Sequence, residues 1–320
     1  MPERTTTSRR RRRLVRGASA FLVLIALGGY AVTHYEADRQ REPHCLVRGA
    51  DPAEGAYRLR LDRMANAATI AAVGTSRGLP ERAVTIAVAT AMQESSLRNL
   101  DHGHLDSLGL FQQRPSMEWG TEEQIMDPVY ASSAFYEKLA EITDYQELPL
   151  TVAAQEVQRS AHPGEYAKHE IHATLLSGAL TGRVPASLEC VTSNDPTAGD
   201  PAELTERLAA DFVGRATVEE LPDGPTELLV TLADPPGVAS EEDGADTGWA
   251  LAHWLLSQAE GLGVASVSWN GLRWESARSD EGWREVADDE AAGAEDSANA
   301  GDTTENSGAS MRISLFPGPG

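Results

Sequence analysis

The interpretation of the fold depends on residues 80–95, which read PERAVTIAVATAMQES. Pro80 suits the first turn of a helix, and small apolar residues recur after it at spacings of three and four. Glu94 falls on or beside this apolar stripe, not opposite it. A carboxyl group in that position loses hydration, which raises its pKa and keeps it protonated near neutral pH. Glu94 is therefore a candidate general acid, and the alternative is a residue near a helix end with its carboxyl group in solvent.

The sequence around this helix predicts a largely helical segment with few strand signals. Apolar residues recur at helical spacing, and Pro128 and Thr151 suit the first residues of further helices. One long loop is expected between residues 99 and 127. We therefore predict an all-α domain, whose helices cover residues 57–75, 80–97, 128–139, 151–159 and 165–180.

The candidate helix is followed by a polar loop, by residues 106–116, which read DSLGLFQQRPS, and by Trp119-Gly120. This order resembles the lysozyme-like superfamily of lytic transglycosylases and goose-type lysozymes. Their motif is a helix ending in Glu-Ser, followed by a Ser-x-Gly-Leu-(Met or Phe)-Gln segment that lines the cleft. The match covers about 30 residues. It is most similar to an exported branch found beside Gram-positive cell-wall hydrolases.

The resemblance implies a role for each matching residue. Glu94 would be the general acid and base, and Ser95 would support it by a hydrogen bond. In lytic transglycosylases the 6-hydroxyl of N-acetylmuramic acid attacks the anomeric carbon and leaves a 1,6-anhydro end, so no second carboxylate is required. Gly109 would allow the backbone to approach a sugar closely. The residues expected to shape the glycan groove are Ser107, Gly109, Leu110 and Gln112.

A hydrolase of this kind would instead need a partner carboxylate, which positions water or stabilises an oxocarbenium ion. Asp106, twelve residues after Glu94, is the best candidate for that catalytic role, with Asp101 behind it. The alternative for both is a loop or cap residue.

One departure from the family pattern lies downstream. Many transglycosylases have an Ala-Tyr-Asn-Ala-Gly-like segment whose aromatic residue contacts the substrate near the Glu. The comparable residues 152–161 read VAAQEVQRSA, where Gln155, Gln158 and Arg159 are polar substitutes, and Tyr166 is the next aromatic residue. Two functions are therefore open. One is a membrane-tethered enzyme that cleaves peptidoglycan with Glu94, and the other is a non-catalytic module that binds glycan or a protein partner in the same groove.

The N-terminal segment predicts export. An unbroken Arg run at residues 9–13 precedes an apolar stretch at residues 18–32. Cationic residues before an apolar segment stay on the cytoplasmic side, so residues 1–16 form a cytoplasmic tail and the bulk of the chain lies outside the cell membrane. Residues 17–35 are either a single-pass anchor or a cleaved signal segment, with residues 26–28 as a candidate cleavage site. A buried soluble helix is the third interpretation.

The chain has two cysteines, Cys45 and Cys190. In an oxidising compartment a lone pair is most simply a disulfide, and the alternative is two free buried thiols. Closing a loop of this size stabilises a fold by about 4–5 kcal/mol in the chain-entropy model. The pair brackets residues 45–190 as the lysozyme-like helical domain.

Residues 191–201 form a linker by composition, and residues 202–320 predict a small acidic α+β domain. Asn270-Gly271 between alternating segments is a type I′ hairpin signal. Tryptophans are concentrated in this domain, where they either pack in a core or stack on sugars: Trp254, Trp269, Trp274 and Trp283. Residues 287–310 are acidic and rich in Gly, Ala and Ser, which indicates a disordered insert. The fold class expected for the whole chain is α+β: an all-α domain, then this small domain, with an N-terminal membrane helix.

The formal charge of -22 argues against a general partner among nucleic acids, which would be repelled. Residues 102–106 contain His-x-His-x-Asp, but Ser107 stands where a binuclear metal signature needs another His, so a polar loop is favoured over a metal site. No cofactor is expected. The partners expected are peptidoglycan glycan strands, the cytoplasmic membrane through the N-terminal segment, and a cell-wall protein for the C-terminal domain.

Overall fold

The computed structural model describes residues 29, 42–159, 163–222, 224–233, 247–286 and 308–318. The predicted cytoplasmic tail, almost all of the predicted membrane segment and most of the predicted acidic insert lie outside these residues. Within the described part of the chain, none of the helices is both long and apolar enough to cross a bilayer. The described residues form an α+β fold, with two antiparallel sheets and a group of packed helices.

The helical part is built around one helix that is buried almost completely. From Ala83 to Met92, every residue of this helix is buried. A helix that is apolar on all sides belongs in the centre of a fold, and its neighbours cover it here from several directions. The helices of this part are α1 (Leu61–Ser76), α2 (Glu81–Ser95), α3 (Glu122–Ile125), α4 (Pro128–Ala140), α5 (Leu150–Gln158) and α6 (Glu170–Leu180), with short 3-10 helices at Pro115–Met117 and Pro163–His169.

The central helix α2 ends abruptly after Glu94 and Ser95. Ser96 and Leu97 both adopt left-handed backbone conformations, with φ of 56° and 61°. Their amide groups donate to the carbonyl oxygens of Met92 and Ala91, which satisfies acceptors that the helix end would otherwise leave open. The chain therefore turns into the following loop directly behind Glu94.

The prediction of an all-α domain is wrong at its edge, because a three-stranded antiparallel sheet flanks the helices. Its strands are β1 (His44–Arg48), β2 (Ala56–Arg60) and β3 (Leu188–Val191), in the order β2-β1-β3. Residues 57–60, expected as the start of the first helix, belong to β2. The strands have four or five residues, too few to show a period of two, and β1 pairs with a strand some 140 residues away.

The disulfide prediction is confirmed. Cys45 of β1 and Cys190 of β3 are paired across the sheet and joined through their sulfur atoms, and both residues are fully buried. The bond ties the first strand of the described chain to a strand that follows the last helix of this part.

The described residues of the C-terminal part form the second sheet, two α-helices and a 3-10 helix at Ser276–Glu281. The hairpin prediction is confirmed, since Asn270 and Gly271 both have positive φ between β6 and β7. Strand β9 begins at residue 308, inside the predicted disordered insert. The elements are α7 (Pro201–Asp211), β4 (Ala216–Glu220), β5 (Glu227–Ala233), α8 (Thr247–Leu262), β6 (Val264–Trp269), β7 (Leu272–Glu275), β8 (Arg284–Glu285) and β9 (Gly308–Leu315), with the strands in the order β4-β5-β9-β6-β7-β8.

Helix α8 joins the two parts into one hydrophobic core. Gln258 of α8 donates to the carbonyl oxygen of Ala65 in α1 at 3.2 Å. The ring of His253 lies 2.7 Å from the carbonyl oxygen of Ala179, and burial lowers the pKa of this histidine to about 4. The packing therefore runs continuously from the helical part into the C-terminal part, although composition predicts a linker at residues 191–201.

The tryptophans of the C-terminal part serve this core. Trp249, Trp254 and Trp274 are at most 2% exposed. The indole N–H of Trp274 donates to the carbonyl oxygen of Cys190, and that of Trp283 donates to the carbonyl oxygen of Leu188, so both fasten β3 to the C-terminal part. Core packing, one of the two roles considered from the sequence, is therefore shown for Trp254 and Trp274, and Trp269 and Trp283 are partly buried against the same core.

Candidate active site

The last turn of α2 holds Glu94 in a mostly desolvated position with two hydrogen-bond partners. The hydroxyl group of Tyr166 donates to Oε1 of Glu94 over 2.6 Å. The side chain of Gln158 is hydrogen-bonded to the same carboxyl group. Tyr166 is fully buried in the 3-10 helix that precedes α6, and Gln158 is the last residue of α5. Three separate elements therefore converge on the carboxyl group of Glu94.

Burial raises the pKa of Glu94 above its ordinary value, and the hydrogen bonds from Tyr166 and Gln158 partly offset this rise. Desolvation penalises the carboxylate, whereas donors that bond to the carboxylate favour it. The net result is a carboxyl group that is protonated more readily than a surface glutamate and that still has donors ready for its charged form. A group that must give up and then take back a proton needs both properties.

The segment that lacks the Tyr and Asn-Ala-Gly residues of the family supplies Gln158 to this site. The amide nitrogen of Gln158 also donates to the carbonyl oxygen of Phe111 at 2.7 Å. Arg159 ends α5 in a left-handed conformation, with φ of 51°. Gln158 therefore links the carboxyl group of Glu94 to the loop that carries the second half of the motif.

Ser95 connects α2 to this loop. Its hydroxyl group lies 2.7 Å from the carbonyl oxygen of Leu110 and accepts a hydrogen bond from the amide of Arg98 at 3.1 Å. The resemblance implies that Ser95 supports Glu94 by a hydrogen bond. In the structure the support is indirect, because Ser95 fixes the backbone at the end of the helix.

Gly109 is needed for a close approach within the chain itself. Its φ is +76°, and a Cβ atom added there would lie 2.6 Å from the carbonyl oxygen of Ile125. Its amide donates to the carbonyl oxygen of Leu100 at 2.7 Å. The close contact made by Gly109 is therefore with α3, where the resemblance implies an approach to a sugar.

The other residues expected to shape a groove differ in their exposure. Leu110 is completely buried in the core, and Ser107 is 7% exposed. Gln112 is half-buried with a φ of 49°, and its amide nitrogen bonds to the carbonyl oxygen of Gly109 at 3.3 Å. Leu110 and Ser107 are therefore buried beneath the loop and support its conformation. Gln112 is the most exposed of the four residues.

Asp106 holds the loop together through both carboxylate oxygens. Oδ1 accepts from Arg114 at 2.6 Å and Oδ2 accepts from the amide of Ser116 at 2.9 Å. Hydrogen bonds from Ser116 and Arg114 hold the pKa of Asp106 well below its usual range. Of the two roles that the sequence leaves open for Asp106, the contacts are those of a loop residue.

Asp101 and the histidines beside it lie on the exposed part of the same loop. The carboxylate of Asp101 lies 2.7 Å from the ring of His102, and this hydrogen bond lowers the pKa of Asp101. Among the residues that the structure describes, no cluster of three or more His, Cys, Asp or Glu side chains is placed to hold a metal ion.

The contribution of Tyr166 is the feature that sequence reasoning missed. The sequence marks Tyr166 only as the next aromatic residue after the departing segment. Its contact depends on the 3-10 helix Pro163–His169, which brings residue 166 back to residue 94. The expected helix over residues 165–180 begins in fact at Glu170, so the local pattern gave the wrong orientation for residue 166.

Comparisons with known proteins bear on a different part of the chain. A family model described as VldE, C-terminal domain, matches residues 230–297, which include α8 and β6 to β8. The chain is similar to that domain over these residues, and the match does not include Glu94 or the loop that follows it. No curated protein matches the chain.

Proposed function

We propose that this chain cleaves the glycan strands of peptidoglycan outside the cytoplasmic membrane, in a lytic transglycosylase-like reaction with Glu94 as general acid and base. The observation that carries the proposal is the desolvated carboxyl group of Glu94, whose pKa burial raises and which Tyr166 and Gln158 hold in place. The resemblance of residues 91–120 to the lysozyme-like superfamily supplies the substrate class.

The proposed reaction uses the carboxyl group twice. Protonated Glu94 gives its proton to the glycosidic oxygen, and the bond to the anomeric carbon breaks through an oxocarbenium-like transition state. The hydrogen bonds from Tyr166 and Gln158 then stabilise the carboxylate that remains. Glu94 next takes the proton of the 6-hydroxyl group of the same N-acetylmuramic acid, whose oxygen attacks the anomeric carbon. The products are a 1,6-anhydro end and a free hydroxyl group, and Glu94 is protonated again.

The environment of Asp106 favours this product over a hydrolytic one. Hydrolysis by a pair of carboxylates needs the second group to activate water or to stabilise the cation. Both oxygens of Asp106 are occupied by Arg114 and Ser116. An intramolecular attack by the sugar does not depend on a second carboxylate.

The proposed location, with the bulk of the chain outside the cell membrane, rests on the basic and apolar residues of the N-terminal segment. The disulfide between Cys45 and Cys190 supports it, since such bonds persist in oxidising compartments. The proposed partners are the glycan strands and the membrane that the N-terminal segment would enter, and a cell-wall protein for the C-terminal part.

The test uses the full-length chain on purified peptidoglycan, beside Glu94→Gln, with products identified by mass spectrometry. Anhydro-muropeptides from the wild type and none from Glu94→Gln would support the proposal. Reducing ends would mean hydrolysis and would contradict the product assigned here. A folded wild-type chain that releases nothing from several wall types would overturn the enzymatic function.

A second candidate function is a non-catalytic module that binds glycan or a protein partner. The observation in its favour is that Gly109 and Leu110 are committed to contacts within the chain. In this case the wild type and Glu94→Gln would co-sediment equally with glycan strands, and neither would release products.

A further inference from the structure

A pocket of about 380 Å³ lies beside the C-terminal end of α2. Met92 in the last turn of α2 lines it, together with Ser96 and Leu97, which follow the end of the helix. Glu94 is not among the residues that line the pocket. The site is therefore distinct from the proposed catalytic group.

The polar wall of this pocket is basic. Arg63 from α1, Lys168 and His169 from the 3-10 helix and His172 from α6 all line it, and none of the described residues lining it is acidic. The chain as a whole has 27 basic residues against 49 acidic ones. Arg63 and Lys168 carry permanent positive charges, and two cations in a lining without a described acidic residue favour an anion in this acidic protein.

The remaining walls are aromatic and apolar. The ring of Tyr57 stacks on the ring of His172, with centroids 4.1 Å apart and planes 14° from parallel. Met92 and Leu97, which are 6% and 1% exposed, close the inner side. A ligand in this pocket would thus meet cations on one side and a flat apolar surface on the other.

Arg63 has hydrogen-bonding capacity that the protein does not use. Its Nε atom is shielded from solvent and makes no hydrogen bond within the described part of the chain. Buried donors in proteins are nearly always paired, so a donor of this kind at a pocket wall favours an acceptor in a ligand. The guanidinium group can bind a carboxylate or phosphate with two parallel hydrogen bonds.

We propose that this pocket binds a small organic anion, whose carboxylate or phosphate group contacts Arg63 and Lys168 while its flat or apolar body lies against Tyr57 and Leu97. Lys168 also pairs with Glu165 at 2.8 Å on the exposed side of the 3-10 helix. The anion therefore competes with one exposed carboxylate for Lys168, whereas the Nε atom of Arg63 has no competing acceptor among the described residues.

Binding should tighten in acid. Burial, followed by the charges of Lys168 and His172, lowers the pKa of His169, whereas Glu165 acts in the opposite direction. His169, which also lies 3.1 Å from the side chain of Gln93, is therefore protonated less readily than an ordinary histidine and gains positive charge as the pH falls. A bound anion stabilises that charge, so its affinity rises as His169 becomes protonated.

The test measures binding of benzoate, phenyl phosphate and the neutral isostere benzamide to the full-length chain by calorimetry, at pH 7.5 and pH 5.5. We expect at least one of the two anions to bind, more tightly at the lower pH, and benzamide to bind at least tenfold more weakly. The anion that binds more tightly identifies the class of the ligand.

Arg63→Gln and Lys168→Gln should each weaken binding about tenfold, which corresponds to about 1.4 kcal/mol. Lys138→Gln, which removes a lysine that lies over the ring of Trp119, is the matched control and should bind as the wild type does.

Three results would overturn the proposal: no binding of either anion to the folded chain, binding of benzamide as tight as that of the tighter anion, or unchanged binding in both variants. Lys168 is on the surface, so Lys168→Gln keeps the test valid even if Arg63→Gln disturbs α1. The readout is direct binding and is independent of any cleavage of peptidoglycan.

Discussion

The end of α2 and the loop that follows it hold two carboxyl groups in opposite environments. Burial raises the pKa of Glu94, whose partners Tyr166 and Gln158 are uncharged. Hydrogen bonds from Ser116 and Arg114 lower the pKa of Asp106, which remains accessible to solvent. The two groups lie twelve residues apart in one motif, yet their pKa shifts have opposite directions, and only that of Glu94 moves towards neutral pH. Environment, not residue type, separates the roles of such carboxyl groups.

The largest effect is expected from Glu94→Gln. If Glu94 transfers the proton, the variant should lose peptidoglycan cleavage by about 10²–10⁴-fold, the usual contribution of a general acid, equivalent to about 3–5 kcal/mol. Anhydro-muropeptide release over time measures this loss.

Stability provides the control for Glu94→Gln. A raised pKa means that Glu94 stabilises the fold fully below the pKa of the unfolded chain, about 4.3, and that this contribution is lost as pH rises through the higher folded value. The glutamine variant should therefore be at least as stable as the wild type at neutral pH. Glu137→Gln, which changes an exposed glutamate on α4, is the matched substitution and should retain activity. A variant that loses activity by unfolding would leave the role of Glu94 unsupported.

The next largest effect is expected on stability, from a substitution of Gly109 in the loop that carries Asp106. Gly109→Ala imposes a left-handed conformation on a residue with a side chain and places its Cβ against the carbonyl oxygen of Ile125. The left-handed conformation alone costs about 1–2 kcal/mol, and the contact adds to it. We expect a loss of at least about 2 kcal/mol in the free energy of unfolding, measured by urea denaturation.

Gly271→Ala separates the two causes. Gly271 has a φ of +71° and no atom within 4 Å of its virtual Cβ, so this variant reports the conformational cost alone. If Gly109→Ala costs no more than Gly271→Ala, the contact with Ile125 does not constrain the loop.

The third effect tests how the environment of Glu94 is tuned. Tyr166→Phe removes a donor that favours the carboxylate, so the pKa of Glu94 should rise further. A catalytic acid works only while protonated, so the alkaline limb of the activity profile should move to higher pH. The lost hydrogen bond should also cost about 1 kcal/mol of stability. Carboxyl-carbon NMR titration of Glu94 measures the pKa directly, whether or not the chain is an enzyme.

Tyr136→Phe is the matched control for this variant. Tyr136 is also buried, and its hydroxyl group donates to the carbonyl oxygen of Ile70 at 2.9 Å. It should lose a similar amount of stability without moving the pKa of Glu94. A pKa that falls or stays constant in Tyr166→Phe would contradict the role assigned to Tyr166.

These tests address features that the sequence predicted to different extents. The position of Glu94 beside an apolar face follows from a period of 3.6, and the structure shows the corresponding burial. The hairpin at Asn270-Gly271 was predicted equally well, because a hairpin turn depends on neighbouring residues. Local pattern determines local structure.

What the sequence did not predict depends on contacts between distant segments. Tyr166 contacts Glu94 across 72 positions of the chain, and Cys45 of β1 pairs with Cys190 of β3 across 145 positions. The packing of α8 on α1 joins residues nearly 200 positions apart, as Gln258 and Ala65 illustrate. No periodicity encodes such pairings, since each depends on where the intervening elements place the chain. The contacts of Gly109 and Ser95 within the chain were not predicted for the same reason: their partners are Ile125 and Leu110.

The smallest effect on stability is expected from Asp106→Asn, which tests the second of the two carboxyl groups. The ion pair with Arg114 is partly exposed, so its loss should lower the melting temperature only slightly. Since the folded pKa of Asp106 is lowered, its contribution is present above the ordinary pKa of an aspartate, about 3.9, and is lost as pH falls towards the folded value. The difference in melting temperature between the wild type and Asp106→Asn should therefore be largest at neutral pH and should disappear in acid. The pH dependence expected for Glu94→Gln has the opposite direction.

Asp62→Asn, which breaks the exposed pair with Arg60, is the control for the loss of an exposed aspartate outside this loop. If Asp106 serves only the loop, Asp106→Asn still yields anhydro products at close to the wild-type rate. A loss of cleavage as deep as that of Glu94→Gln, in a folded variant, would instead make Asp106 a second catalytic carboxylate and would remove the distinction between the two environments.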